Sequence, residues 1–146
     1  MICVGNASTL SFTGFESHMG NSLGLLAGVS VRPRVKVWLE ANGEHVFCSG
    51  MCQILEAIEQ TGSIKEAAES VGLSYRHVWA RIKEVEAALG IPVVHSQVGG
   101  RGTRRTTLTA SGQILVHTYT RLKQRMIAVS DECAIEMLAE LRRAKP

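Results

Sequence analysis

Several things are scarce in this 146-residue chain, and each scarcity excludes something. No apolar run reaches the ~18 residues that a bilayer span requires, so a membrane protein built on a transmembrane helix is not expected. The nearest candidate, Leu23 to Val31, is too short, and Met1 to Phe15 lacks the basic start of a secretory signal. Cysteine occurs four times, at Cys3, Cys48, Cys52 and Cys133, too sparsely for the disulfide framework of a small secreted domain. A reduced, cytoplasmic setting is the expectation. Charge is nearly absent from residues 1–30, where Glu16 stands alone. That stretch is rich in Gly, Ser and Asn without a sustained period, and reads as a flexible N-terminal extension.

What is present looks globular. Hydrophobic residues make up 45% and charged residues 20%, enough for a core and too little charge for wholesale disorder. The net charge of +3 says little by itself. Its distribution says more: between 74 and 105, Arg76, Arg81, Lys83, Arg101, Arg104 and Arg105 face only Glu84 and Glu86. A local excess of that kind suggests a surface turned toward a polyanion.

From Val31 the sequence acquires periods. Val31, Val35, Val37 and Leu39 alternate with polar or charged residues, Asn42-Gly43 supplies a hairpin turn, and His45-Val46-Phe47 returns. Met51, Ile54, Leu55 and Ile58 then predict a helix from Ser49 to Gln60, stopped by Gly62. Ser63 and Glu66 have capping-box spacing and open a short helix from Ile64 to Val71, closed by Gly72. Ser74 caps a third helix, Tyr75 to Leu89, ended by Gly90 and Pro92. Val93, Val94 and Val98 read as a strand, Gly99 to Gly102 as a loop tip, and Thr106 to Leu108 as the returning strand. Thr109 caps a long last helix reaching about Arg143. The expected fold is mainly α with small β hairpins: a winged helix-turn-helix plus a long C-terminal dimerisation helix. Its divisions are residues 1–30, 31–109 and 110–146.

Two helices joined by a tight turn containing glycine form a helix-turn-helix candidate, with Ala67 and Ala68 small where the helices must approach. On a helical wheel, Val78, Ile82, Val85 and Leu89 share the buried face of the 74–89 segment. Arg76, Ala80, Lys83 and Ala87 lie opposite, with His77 and Glu84 on the flank. Charge at the rim and a small residue at the centre suit entry into a major groove. The expected duplex-DNA contacts are Ser74, Tyr75, Arg76, His77, Ala80 and Lys83. Arg76 can fork onto guanine, Lys83 can meet phosphate, and Tyr75 can reach a phosphate through its hydroxyl. Trp79 is assigned to core or shoulder packing. The bland reading of the same helix is an ordinary amphipathic segment with a solvated basic face.

The 99–105 segment favours the sharper reading. Three glycines and three arginines weaken an ordered strand, but suit a wing that reaches phosphates or the minor groove. Arg101, Thr103, Arg104 and Arg105 are the expected wing contacts, with Thr106 a lesser one. A nucleotide-cradling loop fails because no Walker spacing follows and no helix starts at the glycines. In the last helix, Leu115, Tyr119, Leu122, Met126, Val129 and Cys133 recur at steps of 4, 3, 4, 3 and 4, a coiled-coil seam. They predict a homodimer interface that sets two recognition helices a DNA turn, or a multiple of it, apart.

These stretches resemble the N-terminal DNA-binding domain of the ModE family of molybdate-responsive transcription regulators, a winged helix-turn-helix close to that of LysR-type regulators. The likeness is carried by Gly62-Ser63-Ile64 with Ala67-Ala68, and by Gly72-Leu73-Ser74-Tyr75-Arg76 with Trp79 and Ile82. Gly99-Gly100-Arg101-Gly102 with Leu108-Thr109 and Gly112 completes it, over roughly residues 35–130. The resemblance implies a recognition helix at Ser74–Lys83, a wing at Gly99–Arg105 and a dimer contact after Thr109. The family's molybdate sensors carry a separate C-terminal oxyanion-binding module; with Pro146 the last residue here, molybdate binding is not expected.

Other chemistry is weak. His45, Cys48 and Cys52 could gather at zinc, but without a second close pair the signature is incomplete, and neither metal nor cofactor is expected. No catalytic triad or inward carboxylate pair is suggested, so an enzyme is not expected. The expected function is a dimeric, DNA-binding transcription regulator. Its alternatives are a winged-helix protein-interaction module without DNA binding, and a thiol- or metal-responsive regulator.

Overall fold

A computed structural model describes residues 25–26, 29–98 and 104–144. The expected flexible extension falls mostly outside the described residues. Within it, β1 (Leu25–Leu26) and β2 (Val29–Ser30) pair antiparallel.

The first long hairpin is shorter than its sequence pattern. Side chains from Val31 to Leu39 do alternate between half-buried and exposed, yet strand β3 covers only Trp38–Ala41. Pairing stops there because the partner β4 (Glu44–Cys48) ends at the Trp38–Cys48 register, where helix α1 begins. Asn42 and Gly43 make the turn with φ of 54° and 81°, the left-handed pair that an Asn-Gly hairpin requires. Between Leu39 and Glu40 the register slips, which turns both Val46 and Phe47 into the core.

Helix α1 (Ser49–Thr61) is the central element, with Met51, Ile54, Leu55 and Ile58 buried as its period demands. Helix α2 (Ile64–Ser70) follows after Gly62. Ser63 Oγ accepts from the Glu66 N–H at 3.4 Å, which is half of the expected capping box. The other half is replaced: Thr61 Oγ1, not Glu66, accepts the Ser63 N–H, at 3.3 Å. α2 ends one residue earlier than its pattern suggests. There the Leu73 N–H bonds to Ala68 O and the Gly72 N–H to Glu69 O, a Schellman turn built on Gly72 at φ 69°. This fixed corner sets the angle of α3 (Tyr75–Leu89).

Strands β5 (Val94–Val98) and β6 (Arg104–Leu108) pair antiparallel. β6 reaches further back than expected, so Arg104 and Arg105 belong to a strand and not to the loop tip. Its outer edge is held by the Thr106 N–H, which donates to Gly62 O at 2.8 Å. Helix α4 (Ala110–Arg143) starts on the Thr109 cap. Thr109 Oγ1 accepts from Gly112 N–H and donates to Pro92 O, while its own N–H bonds to Val93 O. Gly112 lets the helix start this close to Val93. The core is one cluster in which Phe47, Leu55, Ile58, Ala67, Val78, Ile82 and Val93 are fully enclosed.

Candidate nucleic-acid interface

The exposed side of α3 begins at its cap. Ser74 Oγ accepts from the His77 N–H at 3.2 Å, so this hydroxyl holds the helix start before it can contact a partner. Val78, Ile82 and Val85 are buried and Leu89 half-buried, which anchors the helix by the face expected of it. Ser74, Tyr75, Arg76, His77, Ala80 and Lys83 are all exposed together on the first three turns.

Two shoulders flank that face. On one, His77 and Arg81 edge a shallow apolar hollow of about 300 Å³ formed with Met51, Ile54, Val71 and Leu73. Arg81 also pairs with Glu84. On the other lies Trp79, in the shoulder position that is one of its two expected places: it is 37% exposed and stacks on Tyr75, with ring centroids 6.5 Å apart and planes 6° from parallel, a stack not expected from the sequence. The Lys83 ammonium lies 4.7 Å over the Trp79 ring. The spacing of four between Tyr75, Trp79 and Lys83 was the available signal, since such residues sit one above the other on a helix.

Lys83 is also tied down from below. Its Nζ lies 2.6 Å from Glu86 Oε2, while Glu86 Oε1 accepts the Val93 and Val94 N–H groups at 3.0 and 3.3 Å. Burial alone would raise the Glu86 carboxyl, but the Lys83 contact and the two backbone donors outweigh it. They hold its pKa below the ordinary value of 4.5. One carboxylate thus links the exposed face of α3 to the base of the β5–β6 hairpin.

The hairpin base is therefore fixed on two sides, by Glu86 at β5 and by Gly62 at β6. Arg105 is exposed, and its side chain passes about 3.6 Å from where a Gly62 Cβ would stand. Thr106 does not point outward. It is 4% exposed and shares a hydrogen bond with Ser96, which corrects its place among the wing contacts. Arg101 and Thr103 lie outside the described residues, as does the side chain of Arg104.

The expected seam of α4 divides in two. Leu115 is half-buried against the domain core, while Tyr119 is 2% exposed and is corrected to intramolecular packing. Tyr119 meets Phe47 edge-on at 5.1 Å and donates its hydroxyl to Val37 O at 2.8 Å, within 3.0 Å of Ser49 Oγ. A phenol in that position must satisfy its O–H inside the protein, and the segment before β3 supplies the acceptor. Beyond Thr120 the helix leaves that cluster: Leu122, Met126 and Val129 are 39%, 44% and 53% exposed and Cys133 is exposed as well, whereas Ala134 and Leu138, on another face of α4, are buried.

The thiols have other duties. Cys52 is buried, within 3.6 Å of Thr120 Oγ1 and 3.7 Å of Glu56 Oε1, and burial pushes its pKa up to about 11. A thiol kept protonated in this way is neither a ready nucleophile nor a ready metal ligand. Among the described residues no three His, Cys, Asp or Glu groups converge as a metal site. No described helix is long and apolar enough to cross a membrane.

With this geometry in hand, likeness to known proteins is informative. The sequence profile of bacterial regulatory helix-turn-helix proteins of the LysR family matches residues 51–113, from α1 to the start of α4. The molybdenum-pterin-binding protein MopB of Rhodobacter capsulatus is 39% identical over 66 residues, which is 45% of this chain and 24% of MopB. The molybdenum transport protein ModE of Azotobacter vinelandii is 35% identical over 88 residues, 60% of this chain and 31% of ModE. This chain thus spans less than a third of the length of these relatives. Among solved structures, a complex of the CbnR DNA-binding domain with DNA is similar at a TM-score of 0.46 and 20% identity, over 60% of this chain and 94% of that one.

Proposed function

We propose that the chain is a DNA-binding transcription regulator acting on duplex DNA, since residues 51–113 match the LysR-family helix-turn-helix profile. The observation that supports it most is the outward array of Arg76, His77, Ala80 and Lys83 on α3, presented beyond the Gly72 corner with no other described element covering it. In this reading Arg76 contacts base edges from the first turn, and Ala80 permits close approach to the groove floor. Lys83, together with Arg101, Arg104 and Arg105 of the wing, releases counterions from phosphates. Tyr75 and Thr103 add hydroxyl contacts to the backbone, and Ser74 acts through its cap.

The regulator works as a homodimer through the distal part of α4. Leu122, Met126, Val129 and Cys133 follow one another at steps of 4, 3 and 4 along an exposed face of α4. Apolar side chains in that pattern are covered by a second copy in a two-fold pair.

Binding titrations on duplex fragments from the gene's own neighbourhood, at two salt concentrations, test the proposal. Arg76→Ala should relax preference at one base position of each half-site, at a cost of about 1–3 kcal/mol on the preferred base. Arg104→Ala should weaken specific and random duplexes alike and reduce the salt slope by about one. Affinity that does not depend on salt would instead favour a protein-interaction module.

A further inference from the structure

We infer that the Tyr75–Trp79 pair reads thymine methyl groups in the major groove, so that each half-site is recognised through thymine as well as through hydrogen-bonded bases. The inference deepens the DNA-binding reading above and rests on it.

The two rings are the largest apolar groups on the outward part of α3, 47% and 37% exposed, beside Arg76 and Ala80. They are also preorganised. Their parallel stack fixes both side chains before any ligand arrives, so contact costs little further side-chain freedom. Tyr75 approaches Trp79 from the preceding helical turn and Lys83 from the following one. Glu86 in turn keeps Lys83 in place.

Single-stranded nucleic acid is held by stacking bases on open aromatic faces, whereas these two rings are already stacked on each other and Trp79 also carries Lys83. A duplex presents its base edges in the major groove. There, hydrogen-bonding groups dominate, and the apolar group that stands out is the C5-methyl of thymine. The carbon edge of an indole on a groove-entering helix can cover a methyl, whereas its Nε1–H can only donate to a base acceptor. The same helix therefore carries two kinds of reader: Arg76 for hydrogen-bonding edges and the aromatic strip for methyls.

The test uses the full-length chain and a random-sequence duplex library. Duplexes selected by the wild-type protein are resynthesised with uracil in place of thymine, one position at a time, which removes only the methyl. The expected result is a loss of about fourfold at one or two thymines per half-site, the factor for uncovering one methyl-sized apolar group. Trp79→Ala, and independently Tyr75→Ala, should bind the thymine and uracil forms of those sites equally. Both side chains lie outside the core, and circular dichroism should show unchanged helix content. Equal binding of thymine and uracil duplexes by the wild-type protein, with salt-steep affinity intact, overturns this inference and leaves the regulator reading standing. Trp79→Ala that loses affinity yet still discriminates uracil also overturns it, since the ring would then only position Lys83. Absence of salt-dependent duplex binding overturns both.

Discussion

Replacing Gly112 by alanine should unseat the joint between the last helix and the wing. A Cβ built at Gly112 would stand 2.2 Å from Val93 O, 3.1 Å from Val93 C and 3.4 Å from Leu108 Cβ. The first distance is to backbone, which cannot rotate away like the end of a flexible side chain. Either α4 lifts or the Val93 peptide moves, and both responses disturb bonds made there: Thr109 N–H to Val93 O at 3.0 Å and Thr109 Oγ1 to Pro92 O at 2.7 Å. Forced overpacking costs about 1–3 kcal/mol, and each weakened hydrogen bond adds about 1 kcal/mol. Alanine's better helix propensity returns about 1 kcal/mol. The net expectation is a destabilisation of about 2–4 kcal/mol, read as a lower urea midpoint by circular dichroism. Gly50→Ala in the first turn of α1 is the matched control, because its Cβ would meet only Cys48 Sγ at an ordinary 3.9 Å. That variant should be neutral or more stable by up to ~1 kcal/mol. Equal behaviour of the two variants would refute the reasoning, since propensity alone would then account for both.

Met126→Lys should abolish the proposed dimer in sedimentation experiments without unfolding the monomer. Tyr119→Phe should do the reverse, destabilising each chain by about 1–2 kcal/mol through the unpaired Val37 carbonyl while leaving association intact; Tyr119→Phe acting on association would restore this residue to the interface. Glu86 supplies a pH dependence. Its folded-state pKa is depressed, so its contribution to stability is present above the ordinary carboxylate value and fades as pH falls through the lower folded value. Glu86→Gln should therefore flatten part of the acid limb below about pH 5. Parallel denaturation profiles for the two proteins would show that the Lys83 and backbone contacts do not hold the carboxylate as described.

The sequence by itself determined the local elements of this protein, because their signals act over a few residues. Asn42-Gly43, Ser74 before Tyr75, Thr109 before Ala110, and glycine at 62, 72 and 90 each impose a backbone state or satisfy a helix end wherever the chain goes. The buried stripe of Val78, Ile82 and Val85 follows from the helical period, and with it the outward position of Arg76, Ala80 and Lys83. Tertiary structure decided what periodicity leaves degenerate. A seam running from Leu115 through Val129 looks uniform in sequence. The domain's own core claims Leu115 and Tyr119, however, because α4 begins against Val93 and crosses α1 before departing. Thr106 turned inward because Gly62 O and Ser96 take its polar groups, and residues 31–37 fall outside strand β3 because β4 ends too soon. Trp79, apolar enough for a core, remained outside because its angular position on α3 lies off the face that Phe47, Leu55 and Ile58 enclose. Hydrophobicity specifies that a side chain is better covered; which surface covers it is settled only when distant segments compete for the same space.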